Sequence, residues 1–312
     1  MPEGVGANKQ FDMVVVGDPD LDYVYATSRV PLADEKVPGR KLGAFPGGTA
    51  ANAACAAARL GLRVAAYGRV GDDADGRLLL AANDRFGVSN AFMRVVDFPT
   101  ATTLIIVDQS GEKALVFAPM PFQPLDDAEF LTVARQARIV YTMPRNLDEH
   151  RRIAALARAA GAEVAIDIEA AVAPTRDHIE ALLGSADIVF MNEGGFRATS
   201  DAPITPEALR PLLAFGPRVV ALTLGARGAI AVTRHGEAHQ PGFPVDMRDS
   251  TGAGDCFNAA FLSADLRGED IAQSLRFACA AAAISVGAVG ARSGLPSQNE
   301  VLSFLTARQY RP

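Results

Sequence analysis

The feature that most restricts this chain is a rhythm of uninterrupted β-branched runs separated by helical patterns. The runs are "FDMVVVG" (11–17), "RVAAYGRVG" (63–71), "ARIVYTM" (137–143), "AEVAIDI" (162–168), "ADIVFMNE" (186–193) and "PRVVALTLG" (217–225). Helical stretches such as "DEHRRIAALARAAG" and "RDHIEALLG" fall between them. A strand with one wet face alternates apolar and polar residues; a run without alternation is buried on both faces. Such strands, joined by helices, predict a mainly parallel central sheet between two helical layers, a three-layer α/β/α fold. The C-terminal third reads as helix, at about 253–266, 269–287 and 297–309.

Two segments break this rhythm. Residues 18–43 are polar and Pro-interrupted, and residues 97–119 contain "TATTLIIVDQSGEKALVFAP", a period-two hairpin turning at Gln109-Ser110-Gly111. Neither suits a doubly buried sheet. They predict a small second β-sheet, a discontinuous lid on a main domain made of 1–17, 44–96 and 120–312.

Composition narrows the function. A net charge of −6 among 312 residues argues against a nucleic-acid partner, which needs clustered Lys and Arg. Cys55, Cys256 and Cys279 are widely spaced and odd in number, as expected of buried thiols in a reducing cytoplasm. The N-terminal "MPEGVGANKQ" has no apolar export segment. The uncharged run Phe277–Ala291 falls short of the roughly 18 apolar residues that span a bilayer, so no membrane association is expected.

The chemistry concentrates in two glycine-rich stretches. In "DSTGAGDCFNAA" (Asp249–Ala260), Ser250 or Thr251 is suited to cap a helix. Gly252 and Gly254 let backbone N–H groups meet an anion at the helix N-terminus. Asp255 stands where a carboxylate would take a proton from an attacking hydroxyl, or would merely stabilise a helix end. In "PGGTAANAACAAARLG" (46–61), Gly47 and Gly48 permit close approach to a ligand, and Asn52 both donates and accepts. A tight turn before a closely packed helix would use the same residues. No G-x-x-x-x-G-K-[ST] or G-x-G-x-x-G fingerprint occurs.

Together, "PGGTAANAA" and "DSTGAGDCFNAA" resemble the paired signatures of the ribokinase (PfkB) family of carbohydrate kinases. "VGDDADG", "QSGEK", "ADIVFMNE" and "TLGARGA" fall between them in that family's order. The resemblance spans about 11–306 and implies a ribokinase-like α/β fold with a β-sheet lid. It implies transfer of the γ-phosphoryl group of ATP, with Mg²⁺, to a primary hydroxyl of a monosaccharide. Asp255 would be the general base, and the N–H groups of Gly252, Ala253 and Gly254 the anion hole. Asp22, with Asp20 and Asp18 nearby, would bind the sugar together with Gly47, Gly48 and Asn52. Asn192, Thr223, Gly225 and Gly228 would hold the nucleotide.

The chain departs from the family's usual N-x-x-E, having Gly195 where Glu stands and Glu193 as the nearest carboxylate to serve the metal. Asp249, Thr251 and 285–290 match the place of a monovalent-cation (K⁺) loop found in some members. Arg145-Asn146 resembles ketohexokinase-like members. With Lys36, Arg40 or Lys41, Arg145 would suit an anionic substituent, which favours a keto or acidic sugar over ribose. A surface Arg at a helix start explains the same residue. The resemblance further implies a cytoplasmic homodimer joined through the lid sheets. Two alternatives stay open: a nucleoside kinase of this fold, with Phe45 or Phe122 stacking the base, and a catalytically silent sugar or nucleotide sensor. Asp72-Asp73 reads as a helix cap.

Overall fold

Alternate residues of the buried strands serve opposite layers. Met13, Val15, Ile139, Tyr141, Ile188 and Phe190 join one buried cluster. Val14, Val16, Val140, Val189 and Met191 join another on the opposite face. This is the double burial that the uninterrupted runs require. The computed structural model describes residues 9–170 and 175–309. Most of the N-terminal stretch expected to lack an export signal therefore lies outside the described residues.

In chain order the strands are β1 (Phe11–Val16), β2 (Leu21–Thr27), β3 (Gly39–Pro46), β4 (Val64–Gly71), β5 (Ser89–Val96), β6 (Thr102–Val107), β7 (Lys113–Ala118), β8 (Ala137–Thr142), β9 (Glu163–Ile168), β10 (Ile188–Asn192), β11 (Val219–Thr223), β12 (Ala229–Thr233) and β13 (Gly236–Gln240). Nine of them form one sheet in the order β13-β12-β11-β10-β9-β8-β1-β4-β5. From β11 to β5 every pairing is parallel. β12 and β13 pair antiparallel, because the turns before them are too short for a crossover helix. One edge is thus a hairpin, a detail beyond the parallel expectation.

The remaining four strands form a separate sheet, β3-β2-β6-β7, in which β2 and β6 run parallel and both outer pairs are antiparallel. Its strand β3 runs on to Pro46, directly into the glycine pair. Helices Thr49–Arg59, Ala253–Leu266 and Ile271–Ser285 cover one face of the large sheet. Helices Asp127–Ala134, Leu147–Ala159 and Arg176–Gly184 cover the other. Alanines in the first group permit close approach, and rings fill the remainder, with Phe190 edge-on to Phe261 at 5.6 Å. Arg218 pins the far end of Ala253–Leu266, donating to Glu163 at 2.8 Å and to Asp265 at 2.6 Å.

β1 lies between β8 and β4, so the chain leaves it on both sides. Such a reversal opens a crevice at the C-terminal ends of parallel strands, the usual ligand position in these sheets. Residues 18–22 leave β1 there, and 143–146 leave β8.

Candidate active site

Ala253–Leu266 begins without the expected Ser or Thr cap. Gly252 is its N-cap at φ 76°, and no side chain bonds the first turn. A Cβ at Gly252 would lie 2.8 Å from that of Ala291, so packing and conformation both demand glycine there. Thr251 is drawn away: its N–H and hydroxyl donate to Asp249 at 3.0 and 2.7 Å. Ala253 N–H donates to the Ser250 carbonyl at 3.2 Å, which corrects its inclusion among the free donors. Among the described residues, the Gly252 and Gly254 N–H groups have no partner. An uncapped N-terminus with free donors is suited to an anion.

Asp255 sits in the first turn and is buried. It accepts from Asn52 Nδ2 at 3.0 Å. Burial pushes its carboxyl well above the usual carboxylate range; Asn52 opposes this, Asp167 and Glu169 add to it, and Arg292 opposes it. Asn52 is held from the other side, its Oδ1 accepting Arg292 Nε at 2.8 Å. Arg292 Nη2 also donates to the Gly47 carbonyl at 2.6 Å. Asn52, expected to touch the sugar, is thus first a strut between Arg292 and the carboxylate.

Asp20 and Asp22 lie against the glycine pair. A Cβ at Gly47 would fall 2.5 Å from Asp22 Oδ2 and 2.9 Å from Asp20 Oδ1, so only glycine admits both carboxylates. Asp20 is buried, and its Oδ2 accepts the Thr103 hydroxyl of β6 at 2.6 Å. Burial and the neighbouring Asp20 raise Asp22 to about 6. Asp18 departs from this group. It is engaged by Arg69 through the backbone N–H at 2.7 Å and Nη2 at 2.5 Å, away from the glycine pair.

Sequence reasoning missed two further groups. Asn258, one helical turn after Asp255, donates to Asp167 at 2.8 Å and to the Tyr141 hydroxyl at 3.0 Å. Burial, then Glu169, raises Asp167 to about 7, with Asn258 opposing. The i,i+3 spacing of Asp255 and Asn258 was a readable signal. Arg292 offered one fainter cue, a lone cation directly after the uncharged run 277–291.

At the other end of the crevice, Asn192 and Thr223 are register partners at the ends of β10 and β11. Gly225 and Gly228 follow at φ 57° and 97° in the turn after β11. A Cβ at Gly228 would lie 2.0 Å from the Gln240 carbonyl. Asn192 Oδ1 caps the next helix by accepting Gly195 N–H at 2.8 Å.

The carboxylate expected to serve the metal is paired in this structure. Glu193 forms an ion pair with Arg227 at 2.5 Å. A side chain at Gly195 would meet the Ile168 carbonyl, 2.1 Å from the Cβ position. Among the described residues no cluster of His, Cys, Asp and Glu forms a metal site.

The small sheet reaches this machinery through Lys113, whose Nζ lies 3.5 Å from Thr251 Oγ1 and 4.0 Å from Asp249. Gly290 N–H donates to Asp249 at 2.9 Å, bringing the two expected cation-loop segments together. A cavity of about 630 Å³ beside the crevice is lined by Asp18, Thr49, Phe117, Phe122 and Arg145, among others. Arg145 is exposed and stacks on Phe117 at 4.8 Å, while Lys41 stacks on Tyr23 at 4.9 Å. Asn146 caps Leu147–Ala159 by accepting Glu149 N–H at 3.0 Å. Asp73 caps its helix through Gly76 N–H at 2.7 Å, as expected.

A family model described as pfkB family carbohydrate kinase matches residues 10–298. The chain is 32% identical to a ribokinase of Bacillus subtilis, over 95% of this chain and 99% of that one. It is also 32% identical to an ATP-dependent ribose-1-phosphate kinase of Halopiger xanaduensis, over 94% and 97%. A structure of Arabidopsis thaliana ribokinase complexed with ribose and ATP superposes with a TM-score of 0.85 at 28% identity, covering 95% and 98%.

Proposed function

The chain belongs to the pfkB family of carbohydrate kinases and is a phosphotransferase; from that premise we propose that it transfers the γ-phosphoryl group of ATP to a primary hydroxyl of a monosaccharide. The observation that carries this reading is the buried Asp255 carboxylate, held by Asn52, beside the free Gly252 and Gly254 N–H groups. The acceptor O–H gives its proton to Asp255 as its oxygen attacks the γ-phosphorus. The β,γ-bridging P–O bond breaks and ADP leaves. Free N–H groups at a helix start stabilise the charge gathering on the transferred group. Burial strengthens Asp255 as a base, and Asn52 keeps it aimed.

Thr223, Gly225, Gly228 and Asn192 cradle the nucleotide in this reading. Mg²⁺ when bound would neutralise phosphate charge, and Glu193, now paired with Arg227, would be the carboxylate nearest to serve it. A K⁺ ion near Asp249 and Gly290 belongs to the same reading, supported by the bond joining their loops. Residues 18–43 and 97–119 act as the lid. Exposed Leu104, Leu115 and Val116 support a homodimer through the small sheet. The cytoplasm is the proposed location; among the described residues no helix is long and apolar enough to cross a membrane.

For the acceptor, Arg145 at the cavity favours a keto or acidic sugar, and the relative named for ribose 1-phosphate supports an anionic substituent. ADP release from ATP and Mg²⁺ is the test, with D-ribose, D-fructose, ribose 1-phosphate, a keto sugar acid and adenosine. Stimulation by a sugar supports the reading, and stimulation by adenosine alone replaces it with a nucleoside kinase. Binding without stimulation by any of them leaves a silent sensor.

A further inference from the structure

The proton transfer proposed above leaves a second buried carboxylate of the site without a role. Asp167 is 7% exposed and stands near the end of β9. Side chains along a strand alternate between its two faces. Ala165 belongs to the cluster packed against Thr49–Arg59 and Ala253–Leu266, so Asp167, two residues on, serves the same layer. The helix that covers this layer carries Asp255 in its first turn.

Asn258 ties the two carboxylates together. It follows Asp255 by three residues on one helix face. Its Nδ2 donates to Asp167 at 2.8 Å and to the Tyr141 hydroxyl at 3.0 Å. One helix thus carries both the base and the clamp on the carboxylate next to it. Each carboxylate is held by an amide, Asn52 for Asp255 and Asn258 for Asp167. An amide fixes a carboxylate without neutralising it, so the repulsion between like charges persists. Its N–H also favours the ionised form, so the clamp works against the burial that raises Asp167.

Among the described residues, the groups that bear on Asp255 are Asn52, Tyr141, Asp167, Glu169, Arg292 and the Cys256 thiol. Arg292 is the cation of that set, and it bonds Asn52 and the Gly47 carbonyl. We propose that Asp167, clamped by Asn258, is a positioning residue for the proton transfer, holding a negative charge near Asp255 that strengthens it as a base. The charge opposes ionisation of Asp255 and so favours its uptake of the proton from the attacking hydroxyl. This rests on the sugar-kinase reading above. Asp167 acts through Asp255 and makes no contact with the acceptor.

The test is the pH dependence of kcat/KM for the most active sugar, at saturating ATP and Mg²⁺. Asp167→Asn keeps the shape and removes the charge. Asp255 then stays ionised to lower pH, so the acid limb is expected to move down by about one pH unit. Plateau kcat is expected to fall about threefold to tenfold, because the base is weaker. Asn258→Ala releases the clamp, lets Asp167 protonate more readily and is expected to move the limb the same way by less. Tyr141→Phe disturbs the same network without removing a charge, and its limb is expected within about 0.2 unit of wild type. Carboxyl ¹³C NMR of Asp-labelled protein reads the coupling without turnover. There, Asp167→Asn is expected to lower the Asp255 midpoint by about one unit.

Thermal unfolding verifies folding, and Asn258→Ala carries the test if Asp167→Asn does not fold. An active wild type whose limb is unmoved by Asp167→Asn overturns this role alone and leaves the kinase reading intact. An equal shift in Tyr141→Phe makes the effect one of packing and also overturns it. A wild type that phosphorylates no sugar overturns the kinase reading and this role with it.

Discussion

The two ends of the crevice are built on opposite principles. At the proposed acceptor end, Asp20, Asn52, Asp255 and Arg292 are all buried and come from four distant stretches of chain. Asn52 lies 203 residues from Asp255 and 240 from Arg292. At the proposed nucleotide end, Thr223 closes β11 and Gly225 and Gly228 follow in the next turn, Asn192 is exposed, and Glu193 spends its charge on surface-exposed Arg227. One end is fixed before any ligand arrives; the other is an open turn that the proposed nucleotide would complete. Preorganisation is concentrated where a proton must move, which is where a misplaced group costs most.

Mutations at the two ends sharpen this contrast. Asp255→Asn strikes the fixed end. Turnover is expected to fall at least about a hundredfold in ADP-release assays, with KM for ATP nearly unchanged. Because Asp255 must be ionised to act and burial raises it, wild-type kcat/KM is expected to fall on the acid side above the usual carboxylate range. A limb inside that range would show that the fixed end does not shape its base.

Gly195→Glu restores the family's usual residue at the open end. Its Cβ would meet the Ile168 carbonyl, so the expected outcome is a Tm lower by at least about 5 °C and no tighter Mg²⁺ requirement. A stable variant that saturates at lower Mg²⁺ would reverse the conclusion that this chain has no room for that carboxylate. Glu193→Gln is expected to do least, with kcat and half-saturating Mg²⁺ within about threefold, since exposed pairs contribute little. A tenfold change would mean that the open end is more organised than its exposure suggests.

This contrast also explains what the sequence disclosed. Layered architecture was legible because double burial writes itself into uninterrupted runs, and the small sheet because a period-two hairpin differs from them. Local devices were equally legible: the glycines of both signatures, Asp255, and the Asp73 cap. Contacts that bridge the chain were not. Nothing near Asn52 announces Arg292, and nothing near Asp18 announces that Arg69 will claim it. Glu193 adjoins Asn192 in sequence, yet its partner is Arg227, from the turn after β11. The Gly252 cap was missed because Ser250 and Thr251 are good caps in isolation, while Asp249 binds Thr251 more closely.

The bonds from Arg292 to Asn52 and Gly47 also set an order of assembly. Residues 20–52 leave the ribosome early and form the pocket's acidic wall. Its cationic member arrives only some 240 residues later. Contacts of such separation close late, because the loop they seal must first be ordered. A nascent chain therefore holds Asp20 and Asp22 without their counterpart through most of synthesis. The bonds that hold Asn52 and the Gly47 carbonyl are therefore made in one late event, when the segment after Ile271–Ser285 docks.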